Sequence, residues 1–97
     1  MPIKTLQKNV TASGTPEQLN ASYGVQRGQQ VVVKAKLANT GTITVGPSSA
    51  DALNSSASHF KLRANESLTL SIGNLNEVYI DATVSGEGVE IIFEPYV

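Results

Sequence analysis

The clearest signal along the chain is strict alternation of apolar and polar positions. From Gln30 to Ala38, Val31, Val33, Ala35 and Leu37 share one face while Val32, Lys34, Lys36 and Ala38 share the other, which is the period of a half-buried strand. Asn39-Thr40-Gly41 follows as a turn, and Thr42 to Val45 returns with Ile43 and Val45 inward, so this stretch predicts a hairpin. Phe60 and Leu62 open a second set, in which Arg63-Ala64-Asn65-Glu66 reads as a turn and Leu68, Leu70 and Ile72 alternate with Ser67, Thr69 and Ser71. After Gly73-Asn74, the run Glu77 to Val84 sets Val78, Ile80, Ala82 and Val84 on one face. Ser85-Gly86-Glu87-Gly88 then turns the chain, and Val89, Ile91 and Phe93 point inward on the way back, until Pro95 ends the ladder because it has no N–H to donate.

The first third is less regular. Lys4 to Ala12 reads as a strand carrying Leu6, Val10 and Ala12, but Lys8 interrupts the apolar face. Ser13-Gly14-Thr15-Pro16 is a turn, and Thr15 before Pro16, with Glu17 and Gln18 behind, suits either one capped helical turn or a plain loop. Leu19 to Val25 reads as a short strand. Gly46 to Ser58 is the one long insertion, rich in Ser and Ala, and a connection of that length is expected to be an interface loop or an ordered crossover between sheets.

Six to eight short strands with turns about every ten residues predict an all-β fold, an antiparallel β-sandwich of jelly-roll-like form. Residues 1–14 are expected to form an N-terminal arm or an edge strand, and residues 15–97 a single domain. With 97 residues the chain has room for one core.

Composition sharpens this picture mainly by exclusion. Formal charge is -1 and only 15% of residues are charged, with Lys and Arg scattered, so no footprint for nucleic acid or an acidic membrane stands out. There is no cysteine, hence neither a disulfide framework nor a thiolate metal site. Apolar runs such as Val31 to Val33 are far too short to span a bilayer, and the residues after Met1 do not resemble a signal peptide. The chain is therefore expected to be soluble and made in a cytoplasm. Polarity comes from Ser, Thr, Asn and Gln, a skin suited to β-structure and to protein contact.

Ordinary catalytic chemistry finds no foothold. The single histidine, His59, has no Ser and carboxylate pattern around it. The acids Asp51, Glu66, Asp81, Glu87, Glu90 and Glu94 fall in no calcium-loop spacing, and the glycines at 86 and 88 re-enter a strand rather than open a phosphate-binding helix. No cofactor, small-molecule substrate or enzymatic activity is expected. Candidate interface residues are Tyr23 and Tyr79, because tyrosine joins an apolar ring to a wet hydroxyl, together with Ser48, Asp51 and Asn54 of the long insertion and His59 at its end. An ordinary cross-strand role on an exposed sheet explains Tyr79 equally well.

The run "GQQVVVKAKLANTGTITVG", which begins at Gly28, and "FKLRANESLTLSIGNLNEVYIDATVSGEGVEIIF", which begins at Phe60, resemble small β-rich virion proteins of tailed phages. The shared features are an "NTG" turn, a turn leading into an "ESLTL" strand, and a closing "NLNEVYIDATVSGEGV" hairpin. The resemblance implies a capsid decoration, or cement, protein on the exterior of the virion. It would bind the major capsid protein and stabilise the head shell as a homotrimer. The alternative it implies is a fibre or spike domain that binds a receptor glycan.

Overall fold

A computed structural model describes residues 3–53 and 60–96. Eight strands are present among them: β1 (Lys4–Asn9), β2 (Glu17–Gln18), β3 (Val31–Ala35), β4 (Ile43–Gly46), β5 (Phe60–Leu62), β6 (Ser67–Leu70), β7 (Tyr79–Ala82) and β8 (Gly88–Phe93). A short helix, α1 (Ser49–Ala52), follows β4, and a single 3-10 turn at Leu75–Glu77 precedes β7. The strands form two antiparallel sheets, one in the order β1-β8-β3-β6 and the other β2-β7-β4-β5, packed as a β-sandwich. Pairing is nested: β1 with β8, β2 with β7, β3 with β6 and β4 with β5, as though one long hairpin had been folded over into two layers.

Alternation sets the core. In the first sheet Val31, Val33 and Ala35 of β3 lie beside Val89, Ile91 and Phe93 of β8, and they face Ile43, Val45, Ile80 and Ala82 of the second. All of these side chains are buried, so each strand turns one full face away from water. Asymmetric burial on adjacent residues makes the point: Ile91 is 1% exposed and Ile92 is 42% exposed.

The two reversals read as hairpins, at Asn39-Thr40-Gly41 and before β8, do not pair adjacent strands, and the turn at Arg63-Ala64-Asn65-Glu66 behaves in the same way. β3 and β4, β5 and β6, and β7 and β8 each lie in different sheets, so Asn39-Thr40-Gly41, Arg63-Ala64-Asn65-Glu66 and Ser85-Gly86-Glu87 carry the chain across the sandwich. The crossing shortens the strands. β3 ends at Ala35, which leaves Leu37 74% exposed instead of inward, and β7 ends at Ala82, which leaves Val84 exposed too. Glu17 and Gln18 form the short strand β2, not a helical turn, and the stretch Leu19 to Val25 contributes isolated bridges at Gly24 and Val25 where a strand was expected.

Lys8, the residue that broke the first apolar face, does point inward. It lies opposite Val89, and Glu17 lies opposite Ile80, so the two side chains face each other from the outermost strands of the two sheets. They meet at 2.8 Å and close that side of the sandwich with an ion pair.

The two outer faces differ. Over the second sheet α1 packs on β4 and β7, and Thr44 and Asp81 on that outer face are buried. Gly46 makes this possible, since a Cβ there would stand 2.8 Å from the backbone of Asp51 and Ala52. Part of the long insertion is thus an ordered cover; its residues 54–58, with Asn54, and His59 just after it lie outside the described residues.

Candidate contact surfaces

Among the described residues no element covers the outer face of the β1-β8-β3-β6 sheet. Cross-strand registry lays out one row of Thr5, Ile92, Val32 and Thr69 and another of Gln7, Glu90, Lys34 and Ser67. Isoleucine and valine at the centre of the first row form an apolar strip, extended by Ile3, which is 67% exposed. Lys34 and Glu90 approach to 3.8 Å beside it, both side chains nearly half exposed. Lys36 reaches Gln7 at 2.8 Å and Asn9 at 2.7 Å, so the charged margin is held in place. Between these rows lies a shallow depression of about 580 Å³, lined by Thr5, Gln7, Val32, Lys34, Glu90 and Ile92. Such a surface offers apolar area with a polar rim, the anatomy of a protein contact.

The connections at the end of the sandwich that holds the three cross-sheet turns are tied by side chains. The Glu87 carboxylate accepts the Thr40 N–H at 2.7 Å, the Thr40 hydroxyl at 2.8 Å and the Gly41 N–H at 2.9 Å. Thr83 Oγ1 accepts the Thr42 N–H and Ser85 Oγ accepts the Ser13 N–H. Bonds from the Thr40 and then the Gly41 N–H hold the Glu87 carboxyl below its ordinary value. For Glu17 the Lys8 ammonium and then the Thr11 N–H do the same. Both shifts are downward, so the fold holds the ionised form. That contribution is complete above the ordinary glutamate value and is lost as pH falls through the lowered ones. In thermal melts taken from neutral pH into acid, Glu87→Gln is expected to lose stability less steeply than the parent chain. Parallel curves would show that these bonds carry no acid sensitivity.

The residues expected at an interface are only partly brought together. Tyr79 sits on the outer face of the second sheet, paired with Gly46 and Gln18, and half-buried. Gly46 also carries α1, so Asp51 and Ser48 belong to the same neighbourhood. Their polar groups are used in capping: Ser48 Oγ accepts the Asp51 N–H and donates to the Asp51 carboxylate at 2.9 Å. Tyr23 is elsewhere, its ring edge-on to Phe93 at a centroid distance of 5.1 Å and its N–H on the Asn74 side chain. That is a packing role at the margin of the core. Reasoning from sequence missed Val32 and Ile92, although apolar residues on the polar face of an alternating strand were the available signal.

Buried polar atoms add one detail. Asp81 accepts from the Gly14 N–H at 3.0 Å and its neighbour's Ala82 N–H at 2.8 Å, while Thr44 Oγ1, directly across the ladder, has no hydrogen-bond partner among the described residues. Among the described residues no group of three or more His, Asp or Glu gathers as a metal site, and no helix is long and apolar enough to cross a membrane. No protein-family model matches the chain, and no match was found among curated proteins or solved structures.

Proposed function

We propose that this chain is a structural virion protein of a tailed phage, one that decorates the exterior of the capsid by laying the outer face of its β1-β8-β3-β6 sheet on the major capsid protein. The observation that carries the reading is the contrast between the two outer faces. One is roofed by α1, and the other presents exposed Ile92 and Ile3 with half-buried Val32 beside a loose Lys34–Glu90 pair. A face of that kind, repeated over a shell, stabilises it through many modest contacts. Support for a virus particle comes from the resemblance of the "NTG", "ESLTL" and "NLNEVYIDATVSGEGV" segments, and from the nested pairing of eight strands, which we read as jelly-roll connectivity, an architecture used in viral capsid and lectin domains.

Mixing the purified protein with undecorated heads and sedimenting them tests the proposal. The parent chain is expected to pellet with the heads. Ile92→Asp, which places a charge in the apolar strip without touching the core, is expected to weaken that binding by about tenfold or more. A parent chain that stays in the supernatant would remove the reading, and a saturable hit on a glycan array would put the fibre or spike role in its place. The resemblance implies three copies in the assembly, which a mass in solution decides.

A further inference from the structure

Each sheet ends in two outermost strands, and the four differ in what they offer a neighbour. β1 directs Lys8 into the sandwich, where Glu17 of β2 meets it, and β2 is two residues long and preceded by Pro16. Inward charges and proline are the means by which natural sheets refuse added strands. On the opposite side lie β5 and β6. β5 carries exposed Lys61 at its centre, so antiparallel pairing of β5 with itself about that residue would set like charges face to face. β6, Ser67-Leu68-Thr69-Leu70, carries no charge at all.

Its backbone is also turned the right way. The Ala35 N–H donates to the Glu66 carbonyl at 2.8 Å. Hydrogen-bonded pairs alternate along an antiparallel ladder. Val33 with Leu68 and Val31 with Leu70 are therefore the next bonded pairs, given the registry of the two strands. Ser67 and Thr69 consequently direct their N–H and C=O groups away from β3, toward open solvent, and both residues are exposed.

We propose that β6 pairs antiparallel with β6 of a second copy of this chain, about a two-fold axis at Thr69, so that the β1-β8-β3-β6 sheet continues into its partner as one sheet. In that registry Thr69 stands opposite Thr69 and Ser67 opposite Ser71, hydroxyl against hydroxyl on the outer face. Leu68 stands opposite Leu70 on the inner face, so every position meets its own kind. The occupant is a copy of the same strand because this uncharged sequence complements itself at every pair. Phe60, 74% exposed on the same side of the sandwich, gains cover from the neighbour. Pairing would also bring two apolar strips of Val32 and Ile92 onto one continuous surface. The proposal does not rest on capsid binding, and a chain that pairs but ignores heads separates the two.

Sedimentation equilibrium across a dilution series tests it. The parent chain is expected to show a two-chain mass that falls to one chain on dilution. Thr69→Pro removes an N–H that faces solvent and leaves the ladder to β3 intact, and Thr69→Lys opposes two ammonium groups across the axis. Each is expected to raise the midpoint concentration by about tenfold or more with an unchanged β-type circular dichroism spectrum and melting temperature. Thr69→Lys decides the matter where the proline variant folds poorly. A single-chain mass at every concentration, a three-chain mass, or a two-chain mass indifferent to Thr69→Lys overturns the proposal.

Discussion

Gly88→Ala is expected to cost about 3 kcal/mol or more, because the added methyl has nowhere to go that side-chain motion can provide. A Cβ at Gly88 would overlap the Lys8 carbonyl and stand 2.6 Å from Asn9 Cα, which are backbone atoms of β1. The same residue's carbonyl accepts from the Lys36 N–H at 3.1 Å and the Asn39 side-chain amide at 2.8 Å. Moving β8 to relieve the clash strains those bonds, and moving β1 strips an outer strand from the sheet and loosens the Lys8–Glu17 closure. A melting temperature lowered by roughly 10–25 °C corresponds to that loss for a domain of this size. Gly73→Ala, whose Cβ would meet only the Glu77 carboxylate at 3.3 Å, is the control and is expected to change little. Equal melting temperatures for the two variants would show that the strand contact at Gly88 is not tight.

Ile91→Ala is the second large effect, and its neighbour supplies the contrast. Ile91 is buried between the sheets, and truncating it removes transfer free energy and leaves a cavity, together about 3 kcal/mol. Ile92 on the opposite face loses only partly exposed surface on truncation, so Ile92→Ala is expected to cost less than about 1 kcal/mol. Urea unfolding of the two variants reads the difference directly. Two adjacent isoleucines with similar losses would mean that the chain does not alternate between core and surface along β8.

That alternation was legible from residues alone. Val31, Val33 and Ala35, Ile43 and Val45, Val78, Ile80 and Ala82, and Val89, Ile91 and Phe93 were all expected inward, and all are buried. Strand partners were not legible. A short segment such as Arg63-Ala64-Asn65-Glu66, with Asn65 at a φ of 68°, specifies that the chain reverses. It does not specify whether the return is to the adjacent strand about 5 Å away or to the facing sheet about 10 Å away, and both reversals suit the same turn residues. Leu37 and Val84 were placed inward for that reason, since a hairpin would have extended β3 and β7 through them.

Among candidate contacts the same limit applies. Tyr79, Ser48 and Asp51 come together only because α1 folds back over Gly46, a tertiary event that no local pattern encodes. Lys8 was visible as an exception to the apolar period, but its meaning required Glu17, nine residues on and in another sheet. Val32 and Ile92 were visible as well. They stood on faces otherwise given to Lys34, Lys36 and Glu90, and an apolar residue in such company is a place to look for a partner.

The ion pair inside the β1 and β2 side has a consequence for how far association can run. A sandwich able to add strands at both flanks would string copies into filaments without limit. Here one flank is closed by the Lys8–Glu17 pair, so if β6 pairs as proposed each molecule has a single valence to spend, and two joined copies would leave no open flank for a third to continue.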